Sequence, residues 1–165
     1  MFKIDDYIMY GLIGVCKVMD ITTETISNNI QREYYVLHPV YGESTIIKTP
    51  IDNTKISMRK IISRDDVTSI INNITNSETL WIEDDKLRNQ EFKLILKSGK
   101  CEDLVKLVRS IYDNKIYMKS IGRKPRQADD DIMKIAERLL NEEFSIILNL
   151  QPNDIPSYIS NNINI

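Results

Sequence analysis

The chain is short of the residues that most often carry catalysis or staple a fold. Its 165 residues include one histidine, two cysteines, five glycines, five prolines and one tryptophan. His38 stands alone ahead of Pro39. Cys16 and Cys101 are isolated, without the spacing of a zinc site or a disulfide framework, so a reduced cytoplasm is the expected setting. The glycines are too scattered for a P-loop or dinucleotide fingerprint, and no nucleophile elbow is present. No apolar run approaches the ~20 residues a membrane span needs, and Met1–Asp6 lacks a secretory apolar core. The acidic clusters Asp84–Asp85 and Asp129–Asp131 make poor acid/base pairs. Adjacent residues on a helix point in different directions, and such charges suit helix N-termini better. Together these absences exclude the common enzyme classes and call for no metal, cofactor, small-molecule substrate or membrane.

What is present is charge held in blocks. The formal net charge is only −2, yet Lys86 to Arg126 contains twelve basic and four acidic residues, a local charge of +8. Acidic clusters flank that window, Glu83–Asp85 before it and Asp129–Asp131 after it. Such asymmetry points to a polyanionic partner, against the plainer reading of a solvated helical face. Arg123, Lys124 and Arg126 form a compact basic loop suited to phosphates or a minor groove. The only tryptophan, Trp81, sits just before the window. It suits either core packing or a wedge at a base step.

The patterning divides the chain near Ser63. Residues 1–62 read as short strands: Tyr7–Tyr10, Gly14–Ile21, Tyr34–Leu37, Ser44–Thr49 and Ile56–Ile62, with turns between them. That order suggests a small, strongly bent barrel. Residues 63–150 read as about four helices. Ser63 caps the first, with Asp65 and Asp66 in its opening turn. The others span about Asp84–Ser98, Glu102–Asn114 and Ala128–Leu148, each with an apolar face at helical spacing. Gly99 stops the second. Residues 151–165, with Pro152 and Pro156, read as a tail, mobile in expectation. The fold class is therefore α+β, a small β module followed by an all-α domain.

The arrangement resembles the CarD family of bacterial transcription regulators, whose N-terminal module is shared with transcription-repair coupling factor. The likeness runs over about residues 2–150. Phe2–Tyr10 with Gly14 and Val15, then Glu33–Leu37, Thr45–Pro50 and Met58–Ile62, are similar to its strands in order. Trp81, Lys86, the Leu96–Gly99 turn, Leu104–Ile111, Ala136 and Leu140 are similar to its helical part. The resemblance implies a Tudor-like β module (1–62) that binds the β subunit of RNA polymerase, with Thr45, Ile47 and Lys48 on the binding strand. It implies a helical domain (63–150) that touches promoter DNA at the upstream edge of the transcription bubble, without sequence-specific readout. There Trp81 takes the place of a minor-groove wedge and Lys86 of a nearby contact, with Arg88, Arg123, Lys124 and Arg126 as further DNA-contacting candidates. The chain departs from the family's pattern at Glu83–Asp85 and at Asp130 and Asp131, where basic residues are frequent. The expected function is modulation of open-complex stability. The rival expectation is a protein-interaction adaptor with a Tudor-like module and a buried Trp81.

Overall fold

The computed structural model describes residues 1–42 and 44–163, and the chain folds as two compact units, Met1–Ile61 and Ile62–Ile165. The first holds β1 (Tyr7–Tyr10), β2 (Gly14–Ile26), β3 (Ile30–Pro39), β4 (Ile47–Pro50) and β5 (Met58–Lys60). They form one antiparallel sheet in the order β4-β3-β2-β1-β5. The α+β class stands as read from the sequence, a small antiparallel sheet followed by helices, with the sheet open and not closed into a barrel. β5 has only three residues, and all three pair with β1, Ile8 facing Lys60 and Tyr10 facing Met58. Among the described residues nothing is left to join it to β4.

One face of the sheet buries Ile8, Tyr10, Cys16, Val18, Tyr35 and Leu37, with Phe2, Ile21, Ile47, Ile51 and Met58 packed at its margin. The period of two in β-strands places Tyr35 and Leu37 on that face together. The Tyr35 hydroxyl accepts a hydrogen bond from the Phe2 amide at 2.9 Å, and the two rings lie 5.4 Å apart. A bulge between Val18 and Asp20 turns Met19 outward. β2 and β3 run well past their apolar segments, pairing out to Ile26 and Ile30, and Asn29 at φ 60° helps the chain reverse there. Gly11, at φ +49°, lies so close to Ile56 that an added Cβ would come within 2.7 Å of its side chain. Only glycine fits that turn.

The second unit holds α1 (Arg64–Asn73), α2 (Asp85–Ser98), α3 (Cys101–Ser120), α4 (Gln127–Leu148) and α5 (Ile155–Asn162). Ser63 and Asp66 form a reciprocal capping box at the start of α1. Asp84 caps α2 by accepting from the Leu87 amide at 2.7 Å. Gly99 ends α2 in the left-handed conformation, as Asn149 does for α4. α4 is the central element: α1, α2, α3 and α5 all pack on it. Its Ala136, Leu139 and Phe144 are almost fully buried, as are Phe92, Leu104 and Leu107 from α2 and α3. Glu143, also buried, accepts the Ile62 amide at 3.0 Å.

Two expectations are corrected. α3 continues through Ser120, beyond the expected end near Asn114. The segment expected as a mobile tail carries α5, and Ile155 is fully buried. Pro156 lies in the first turn of that helix, where a missing N–H costs nothing. Residues 164–165 of the expected tail lie outside the described residues.

Candidate functional site

Trp81 lies in the irregular segment ahead of α2 and is neither free nor fully buried. The Arg88 guanidinium lies 4.2 Å from its ring centroid, and the Phe92 ring meets it edge-on at 6.3 Å. One face of the indole is therefore covered by a cation that is itself held in place. Arg88 is 2 % exposed. It donates to Asp129 at 2.9 Å, to Asp85 at 2.6 Å, and to the Ile82 and Glu83 carbonyls at 2.7 and 3.3 Å. Burial opposes the Arg88 charge, but the hydrogen-bonded Asp129 and Asp85 carboxylates outweigh it and leave its pKa above the ordinary value.

This geometry corrects the reading of Arg88 as a DNA contact. Its donors point inward, and α2 and the start of α4 are pinned through it. Arg126 is partly exposed but is also engaged, with Asp85 at 2.7 Å. Asp85 thus bridges two arginines. The hydrogen bond from Arg88 holds its carboxyl below the ordinary range against a burial effect that raises it, and Arg126 adds to the lowering. Arg123 and Lys124 are exposed, just past the end of α3. Gly122 at φ +71° makes that exit, and the Arg123 amide returns to the Met118 carbonyl at 2.8 Å. Neither Arg123 nor Lys124 forms an ion pair among the described residues.

Lys86 is exposed in the first turn of α2, and Lys93 and Lys97 follow it at helical spacing. Offsets of seven and four residues put the three on one stripe, about 16 Å long at 1.5 Å per residue. They too have no carboxylate partner among the described residues. Four of the five acidic residues that break the family pattern have local uses instead. Asp84 caps α2, Asp85 holds Arg88 together with the neighbouring Asp129, and Asp130 pairs with Lys115 and Lys134. Asp131 accepts from Gln127 at 2.7 Å.

A cleft of about 660 Å³ opens beside Trp81. Its lining includes Glu83, Asn114, Tyr117 and Arg123, and the Arg88–Asp129 pair forms part of its wall. Tyr117 is 59 % exposed, on the stretch of α3 that extends past the expected helix end. Sequence reasoning missed Tyr117 and Asn114 because no periodic apolar signal marks that stretch. Among the described residues no group of histidine, cysteine and acidic side chains could hold a metal ion, and no helix is long and apolar enough to cross a membrane.

In the first unit, β4 is an edge strand, paired only with β3. It spans Ile47–Pro50, shorter than the Ser44–Thr49 strand expected, and Thr45 is exposed ahead of it. Ile47 turns toward the core and Thr49 is buried, so Lys48 faces outward between them. Lys48 is paired with Glu24 of β2. Ile46, at the mouth of the strand, is 76 % exposed. Among the described residues no strand lies beside the outer rim of β4.

Comparison with curated proteins gave no match. The family model described as CarD-like/TRCF RID domain matches residues 2–62. That family is an interaction domain, associated with RNA polymerase, and not an enzyme family. Its span coincides with the sheet unit and includes the open β4 edge, Lys48 and the Gly11 turn. By that match the N-terminal unit, residues 2–62, is a CarD-like/TRCF RID domain.

Proposed function

We propose that the chain is a non-enzymatic transcription regulator, working in the cytoplasm, that binds the β subunit of RNA polymerase through its sheet unit and promoter DNA through its helical unit. The observation that carries the reading is the RID match over a unit whose β4 edge is open. An open edge accepts a strand from a partner, with main-chain hydrogen bonds supplying affinity. Lys48 and Ile46 flank that edge, where an acidic or apolar partner surface would meet them. In the helical unit, Lys86, Lys93, Lys97, Arg123 and Lys124 are free to meet phosphates, and Trp81 marks the place of contact with the opened duplex.

Tethering to polymerase raises the local concentration of this basic surface, so weak intrinsic DNA affinity suffices. Preference for the open promoter then shifts the closed–open equilibrium toward open by linkage. The test is open-complex lifetime on a purified promoter, with polymerase alone and with the full-length protein. The lifetime should lengthen with the protein, fall back with Trp81→Ala, and fall back with Lys48→Glu together with polymerase binding. An unchanged lifetime and no capture of polymerase would sink the reading. The rival, an adaptor whose helical unit docks a protein, draws on the partial burial of Trp81. It predicts polymerase capture with no effect of Trp81→Ala on promoter opening.

A further inference from the structure

A side chain that slides between two base pairs needs both of its faces open. Trp81 does not have them. Arg88 covers one face at 4.2 Å and Phe92 holds an edge. Moving Arg88 off the ring to free that face would break its pair with Asp129 and strand two buried charges. What remains of the indole lines the 660 Å³ cleft. Tyr117 lines it too, with its ring largely exposed, and Asn114 brings a side-chain amide with no hydrogen-bond partner among the described residues.

The charges of the cleft decide what fits inside. Asp85 and Asp129 are tied to arginines within it, and Asp113 to Arg109 at 3.7 Å. Glu83 and Arg123 are the ionised groups there with no ion partner among the described residues. A phosphate placed inside would face four carboxylates against three arginines, two of which are already committed to Asp85 and Asp129, whereas an uncharged planar ring meets no such opposition. Aromatic side chains stack on any base, and a cation alongside tracks the backbone.

We infer that this cleft takes a single unpaired nucleobase, stacked against Trp81 and Tyr117, with its phosphate outside on Arg123. The Asn114 amide and the Glu83 carboxylate are placed to meet the base edge, the carboxylate as acceptor for an exocyclic amine. The inference rests on the DNA-binding reading above and changes how Trp81 acts: it caps one base from one side and does not wedge between two.

The experiment uses the full chain and three DNAs of one length and sequence. One is a blunt duplex, one carries a single-base bulge, and one carries an abasic residue in the same bulge. Binding at low salt is followed by anisotropy of labelled DNA and by quenching of the sole tryptophan. The base-bearing bulge should bind about five- to 150-fold more tightly than the abasic one, the range of base–aromatic stacking, and it alone should quench Trp81. Tyr117→Ala, at a largely exposed position, should erase that gain and leave blunt-duplex affinity unchanged. Arg123→Gln should weaken the bulge while preserving the quench. Equal binding of the two bulges, with blunt duplex also bound, overturns the base-capture inference and leaves the DNA reading standing. No binding of any of the three overturns both.

Discussion

Arg88→Ala is the sharpest perturbation of the helical unit, because it separates an internal tie from a DNA contact. In the fold Arg88 joins Asp129, Asp85, two carbonyls of the Ile82–Glu83 segment and the face of Trp81. Removing one member of a buried ion pair costs about 3–5 kcal/mol, because the other charge is left uncompensated. The Asp129 side chain is 7 % exposed and stays stranded. Asp85 is 57 % exposed and can rehydrate, which places the total near the lower end, about 3 kcal/mol. The lost stacking on Trp81 overlaps with that figure and does not add to it in full. Urea unfolding by far-ultraviolet circular dichroism would read it as a fall of roughly 1–2 M in the midpoint of the helical unit. Asp129→Asn in the Arg88→Ala background should then cost at least about 1 kcal/mol less than in the parent, since the charge it removes is already unpaired. A loss below about 0.5 kcal/mol with additive single effects would mean that Arg88 faces solvent, and its assignment as an internal tie would fall.

Trp81→Ala should cost roughly 1–3 kcal/mol, less than a fully buried aromatic, because only part of the ring is covered; differential scanning calorimetry of the full chain checks it. DNA binding should be salt-sensitive, with Lys86→Ala, Lys93→Ala and Lys97→Ala each lowering the slope of log K against log salt by about one, whatever the DNA sequence. Asp85, Asp66 and Asp130 have pKa values below the ordinary 3.8 in the fold, through hydrogen bonds from Arg88, Ser63 and Lys115 respectively. The stability they supply is complete above that ordinary value and lost as pH falls through their folded values. A urea midpoint that failed to fall in acid would contradict the pairing. Finally, residues 1–61 expressed alone should capture polymerase, and residues 62–165 should not, as a pull-down would show.

How much of this was legible follows the range of each interaction. Ser63, Asp84 and Gly99 mark helix ends by chemistry within a few residues, and α1 and α2 begin and end where those residues say. The outer part of β2 was hidden because Thr22–Thr25 is polar and shows no alternating apolar residues. α5 was hidden because prolines that break a helix interior also open a first turn. The role of Arg88 was hidden most deeply. Its i,i+3 partner Asp85 is local, but Asp129 lies 41 residues away, and no periodicity announces that pairing. An arginine inside a basic window looks like a phosphate contact until its partners are located. Asp85, which departs from the family's pattern, and Asp129 are part of what holds Trp81 still.

The β2–β3 ribbon behaves as an arm of adjustable length. From Thr23 to Ile30 every side chain described is exposed, so no buried face fixes the strand register there. Matched insertions of one residue in each strand would lengthen the ribbon by about 3.4 Å and leave the packed base, from Cys16 to Val18 and from Leu37 to Pro39, in place. Reach can therefore drift between descendants of this sequence at little cost to folding, with the Ser27–Asn29 turn as the natural place for growth or for a grafted peptide.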